Sequence, residues 1–130
     1  MDPKEFFSIA ECLVDMKNEK ISEEICYRTA INRLYYGTFH LIQLKYYFKI
    51  PPSASKYPHK YVKNKIKNTK ILGDYKDLEK YRVDADYHID KKISNLHKYA
   101  LQCQKRIFKN LENPYDDDDE EYYNKFHKKR

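Results

Sequence analysis

The chain has 130 residues and a formal net charge of +6, enough for one domain with a single core and too few for two. No run reaches the roughly 18 apolar residues of a membrane span, and no basic-then-apolar leader opens the chain, so it reads as soluble and cytoplasmic. Cys12, Cys26 and Cys103 are widely spaced among apolar neighbours, which predicts core thiols and excludes a disulfide framework.

Asp2, Pro3 and Glu5 form a helix start: an acid to cap, a proline at the first helical position and a second acid in capping-box spacing. The first helix is expected to reach about Lys17, with Phe6, Ile9, Ala10, Leu13, Val14 and Met16 on its buried face. Ser22 caps the next helix, and residues 27–48 read as one long helix. At helical spacing Cys26, Ala30, Leu34, Gly37, Leu41, Leu44 and Phe48 share a stripe that Ile31 and Ile42 widen, the breadth expected of a central helix. Thr29, Arg33, Tyr36, His40 and Tyr47 flank it as a polar and aromatic seam. Gly37 costs roughly 1 kcal/mol of helix propensity, so its place inside the stripe predicts a second helix packed on bare backbone.

Pro51 and Pro52 stop that helix, and residues 49–58 carry loop chemistry. Residues 59–67 follow as a short basic helix, 68–74 as a break, 75–82 as a second short helix and 83–88 as a turn. The last helix is expected to begin between residues 86 and 95, with Asp90 and Ser94 as alternative caps, and to end near Leu111. Ile93, Leu96, Ala100, Cys103, Ile107 and Leu111 fall on its apolar face, with Leu101 and Phe108 at the edge. Nothing alternates with period two long enough for a strand. The fold class is therefore all-α, four to five helices around a long central one, in a domain spanning 1–113. Residues 114–130 read as a disordered tail, acidic at 116–121 and basic towards its end; the acids are also able to mimic a phosphate backbone and cover a basic face.

Charge distribution points to the partner. From position 25 to 73 there is no Asp or Glu, while ten Lys and Arg alternate with nine Tyr and Phe and two His. Cations meet phosphates and ring faces stack on unpaired bases, so this block is expected to contact RNA, with Lys56, Lys60 and Lys63 in its most basic part. His, Cys and acids in the helical region do not fall at metal-ligand spacing, and no cofactor is implied.

Two segments carry a family resemblance. Arg33, Tyr35, Tyr36, Phe39 and His40 fit the pattern Arg-x-Tyr-Tyr-x-x-Phe-His, and Arg82, Ala85, Asp86 and Tyr87 fit Arg-x-x-Ala-Asp-Tyr. Over roughly residues 5–112 the chain resembles the HEPN family, most of all its stand-alone prokaryotic members. That resemblance implies a bundle that dimerises and, in many members, a metal-independent ribonuclease whose motif is Arg, four to six residues, then His. Arg82 and His88 fit it with five residues between. Catalysis would then rest on Arg82 and His88, with Arg33, Tyr36, His40, Lys56, Lys60, Lys63, Asp86 and Tyr87 in binding roles.

The resemblance also implies a homodimer with a composite site and a minimal nucleotidyltransferase as antitoxin partner. In some such systems the antitoxin modifies a tyrosine two residues past the motif histidine; here that position is Asp90, and Tyr87 is the tyrosine beside His88. Other readings of the same residues stand beside these. Arg82 is able to brace its turn through Asp84 or Asp86, Arg33 and His40 to form a bonded seam between helices, and Tyr35 and Tyr36 to be core aromatics. The alternative function is a catalytically silent HEPN-like module that binds RNA, a nucleotide or a partner protein.

Overall fold

The computed structural model describes residues 1–114, all-helical apart from turns and one isolated bridge between Asn18 and Ile21. The order is α1 (Lys4–Asp15), α2 (Glu23–Lys45), a 3-10 turn (Pro52–Ala54), α3 (Pro58–Lys65), α4 (Leu72–Tyr87) and α5 (Leu96–Asn110). Each of the other four helices packs on α2, and α4 also packs on α5 and α3. Of the tail expected at 114–130, residues 115–130 lie outside the described residues. At their end, the Pro114 carbonyl accepts a 2.6 Å bond from the Lys70 N–H. No helix among the described residues is long and apolar enough to cross a membrane.

Local chemistry sets most helix ends. Ser22 caps α2 as expected, its Oγ accepting from the Ile25 N–H at 3.2 Å. On α1 the N-cap position falls to Pro3, one residue later than expected, while the Asp2 carboxylate still accepts from the Lys4 N–H at 3.0 Å, so both side chains satisfy donors that a helix start leaves open. At the other end α2 stops at Lys45, three residues before the expected Phe48. Tyr47 takes the left-handed conformation (φ 53°), and the Phe48 N–H reaches back to the Gln43 carbonyl at 3.1 Å, a Schellman closure with Tyr where Gly is usual.

Gly37 meets the predicted neighbour. A Cβ there would lie 2.6 Å from Phe7 Cε1 and 2.9 Å from Phe6 Cβ, because α1 crosses α2 on the bare backbone. The faces differ in detail from the expected ones. On α1, Phe7 packs inward while Ile9 and Met16 are exposed; on α2, Leu44 is exposed. Cys12 is exposed as well, so only Cys26 and Cys103 are core thiols. From Cys26 to Leu41 the expected stripe is buried, and beside Ile31 and Ile42, which were expected to widen it, α2 also buries Tyr35 and Thr38, all four at 0–1% exposure.

The larger correction concerns α4. It starts three residues before the expected Tyr75 and continues through residues 83–87, which were expected to form a turn. Tertiary contacts extend it. Ala85 is buried, and Arg28 donates to the Asp84 and Ala85 carbonyls at the helix end, the first of which also accepts from the His88 N–H. α5 then begins at Leu96, inside the expected window, but neither Asp90 nor Ser94 caps it: Asn95 occupies the N-cap, and its side chain makes no capping bond. Its apolar face is as expected, with His97 and Gln104 also buried.

Candidate functional site

α2 and α4 run their polar residues together. On α4, Tyr75, Glu79, Arg82 and Asp86 recur at helical spacing, and α2 sets Asn32, Tyr35 and Tyr36 against them. Arg82 is the centre. Only 6% exposed, its guanidinium lies over the rings of Tyr35 (5.1 Å), Tyr36 (5.6 Å) and Tyr87 (5.7 Å), with the Asp86 carboxylate at 3.7 Å. Its Nε is buried without a hydrogen-bond partner among the described residues. Ring stacking thus orients this cation while leaving donor capacity unused.

Asp86 is fixed from α2, since Asn32 Nδ2 donates to Oδ2 at 2.8 Å. The Arg33 guanidinium donates to Asn32 Oδ1 and stacks over Phe6 and Tyr36. Arg33, Tyr36, Arg82, Asp86 and Tyr87, five of the sequence-predicted residues, therefore form one connected group. Lys63 joins its edge through a 2.7 Å ion pair with Glu79.

The other predicted residues stand apart. His88 follows the last turn of α4; its N–H donates to the Asp84 carbonyl at 3.1 Å, while its exposed imidazole makes no hydrogen bond, ion pair or ring contact among the described residues. His40 is exposed at the α1–α2 edge, with its ring against Phe6 and Phe39, and it lines a cleft of about 330 Å³ with Met1, Pro3 and Leu44. Partial burial, then the nearby Arg33 charge, hold His40 below the ordinary histidine range. Lys56 and Lys60 are exposed and form no ion pair among the described residues.

Two residues were given no role in the sequence reading. Arg28, 5% exposed, donates to the carbonyls of Asp84, Ala85, His88, Ile89 and Lys91 at 2.8–3.3 Å, tying the end of α4 and the turn after it to the start of α2. Its signal was its place at the head of the second buried face, Ile31, Tyr35, Thr38 and Ile42. The other is His59 on α3. The Tyr35 hydroxyl lies 2.6 Å from His59 Nδ1, 2.8 Å from the Tyr75 hydroxyl and 3.5 Å from Glu79 Oε2. Burial first, then the Arg82 charge, lower the His59 pKa, with Glu79 opposing; burial likewise raises both tyrosines, so they keep their protons.

Folding also gathers Asp74, Asp77 and Cys103 within 4.8 Å, a grouping that chain spacing hid because Cys103 belongs to another helix. The positive charge there comes from Arg106, bonded to Asp74 at 2.9 and 3.0 Å and to Cys103 Sγ at 3.6 Å. The chain matches no protein-family model, no curated protein and no solved structure.

Proposed function

We propose that this chain is a metal-independent endoribonuclease of the HEPN toxin type, acting as a homodimer in which Arg82 and His88 of the two subunits form a composite site. One observation carries the reading. On α4 stands an arginine oriented by rings, and six residues later, just past the helix end, a histidine; neither the arginine Nε nor the imidazole has a partner among the described residues. RNA cleavage by its own 2′-hydroxyl can draw on both groups: a guanidinium to hold charge on the phosphoryl oxygens and an imidazole to move a proton. The exposed lysines Lys56 and Lys60 would draw RNA to the site, so activity should fall as salt rises. A minimal nucleotidyltransferase is the antitoxin partner in this reading.

The second reading, a silent module that binds RNA, a nucleotide or a partner protein, is favoured by the burial of Arg82 and its brace through Asp86 and Asn32. The test is cleavage of labelled single-stranded RNA in EDTA by the wild-type chain and by His88→Ala, with product ends analysed. Loss in the variant of a 2′,3′-cyclic phosphate product seen with wild type supports the nuclease. Salt-dependent binding without cleavage by either supports the silent module.

A further inference from the structure

We infer that His59, oriented by Tyr35 and Glu79, is the proton acceptor of the Arg82 site. The inference rests on the ribonuclease reading and adds to it a group 23 residues before Arg82, on a different helix.

The hydrogen-bond inventory leads there. Three groups surround the Tyr35 oxygen: His59 Nδ1 at 2.6 Å, the Tyr75 hydroxyl at 2.8 Å and Glu79 Oε2 at 3.5 Å. A carboxylate only accepts, and a phenol donates once and accepts twice. One assignment satisfies all three contacts: Tyr35 donates to Glu79 and accepts from both the Tyr75 O–H and the His59 Nδ1–H. The reverse assignment, Tyr35 donating to His59, leaves the Glu79 contact without a proton. With Nδ1 protonated, His59 Nε2 carries a lone pair, and no group among the described residues bonds to it. Nucleophile-activating bases are built in this way, with a third group fixing the tautomer of the imidazole.

The surroundings fit the task. Arg82 stacks on the ring whose hydroxyl holds His59, and its buried Nε has no partner, so an unsatisfied donor sits behind the same ring. The groups facing His59 are Tyr35, Tyr36 and Phe39 of α2, Lys63 of α3, and Glu79 and Arg82 of α4. Burial, Arg82 and Lys63 favour the neutral ring, the form a base requires, against the smaller pull of Glu79.

The step balances with two imidazoles. The 2′-hydroxyl proton passes to His59 Nε2 as the 2′-oxygen bonds to phosphorus and the P–O5′ bond breaks. The departing 5′-oxygen takes its proton from the imidazolium of His88, and proton exchange through water resets both rings. His59 and His88 would touch substrate, whereas Tyr35 and Glu79 position His59.

The test combines nitrogen NMR of the histidine rings with cleavage profiles, on the full chain. His59 should show the Nδ1–H tautomer and lose that preference in Tyr35→Phe and in Glu79→Gln; the latter, a near-isosteric change at a partly exposed position, guards against a folding failure in the former. His59→Ala should slow cleavage by about 10²–10⁴-fold with RNA binding retained. Glu79→Gln should move the low-pH fall of the cleavage profile further down, because the carboxylate supports the protonated ring. An Nε2–H tautomer in the wild type, or wild-type rates from His59→Ala, would overturn the inference. If the wild type cuts no RNA, the nuclease reading fails by itself, and the probe becomes a 2′-O-methyl oligouridylate, which binds but is not cut. A shift of the His59 Nε2 resonance on its addition keeps His59 at an RNA site, and no shift rejects it.

Discussion

Arg28→Ala should unfold the end of α4 before the rest of the domain. Arg28 makes five bonds to carbonyls, but they share two nitrogens, and the shortest on each are those to Ala85 (2.9 Å) and Lys91 (2.8 Å). Counting only these, at roughly 1.5–3 kcal/mol for a charge-assisted bond, gives about 3–6 kcal/mol. Relief of the buried cation offsets part of this, leaving about 3 kcal/mol, a large share of the total for a domain of this size. Arg28→Lys should lose about half as much, because one ammonium does not span acceptors from residue 84 to 91. Urea titration gives the free energy, and the melting point should fall by about 12 °C at roughly 4 °C per kcal/mol. Hydrogen exchange adds a local signature: the His88 and Lys91 amides, bonded to the Asp84 and His88 carbonyls, should lose protection first. A loss below about 1 kcal/mol with those two amides still protected would mean that the turn holds itself, and the reasoning fails.

Further substitutions test packing, conformation and titration. Gly37→Ala gains about 1 kcal/mol of helix propensity but drives a methyl group into Phe6 Cβ, which moves only with α1; a net loss of about 1 kcal/mol in urea titration is expected. Tyr47→Gly should be neutral or gain up to about 1 kcal/mol, since Tyr47 is 94% exposed and pays for a left-handed conformation that Gly adopts freely; the urea midpoint reads it directly. His97 stacks on Tyr27 at 3.9 Å with Nδ1 buried and unpartnered, and burial lowers its pKa, so the unfolded chain takes up the proton first as pH falls. Its stability contribution is therefore complete above about pH 6.5 and lost below; His97→Phe should flatten that loss in urea titrations from about pH 7 to 5. Among the described thiols, Cys12 should react with a disulfide reagent in the native protein while Cys26 and Cys103 wait for unfolding, because they are buried and Cys103 is pushed up to about 11.

What could be read from the chain depended on whether the partner was local. The capping bonds of Asp2 and Ser22, the close approach at Gly37 and the i, i+4 relation of Arg82 to Asp86 rest on nearby residues or on one missing side chain, and each is found. The second buried face of α2 was present in the spacing from Arg28 through Ile31 and Tyr35 to Ile42. Ile31 and Ile42 were legible as the edge of the apolar stripe, whereas Arg28, Tyr35 and Thr38 look polar until their partners are placed. α4 was cut short for the same reason: its C-terminal carbonyls are satisfied from 56 and more residues away. His59 could not be found by spacing at all, since the proline-containing loop between α2 and α3 decides where its ring arrives.

The candidate site is also part of the core, and that governs how it is to be probed. Tyr35 and Tyr75 are fully buried and Arg82 nearly so, on the face that joins α4 to α2. Truncating any of them opens a cavity or strands a polar group, so lost activity in such a variant says little about chemistry. Glu79, His59 and Lys63 are only partly buried members of the same network and can be changed with less packing lost. The apolar counterpart is informative as well. If the network existed only for stability, replacing Tyr35 and Tyr75 together by Phe would cost little, because both buried hydroxyls leave at once and the groups left without them, His59 Nδ1 and the Glu79 carboxylate, belong to partly exposed residues. A double variant as stable as the wild type but with a changed His59 tautomer would therefore separate what the cluster does for the fold from what it does for the imidazole.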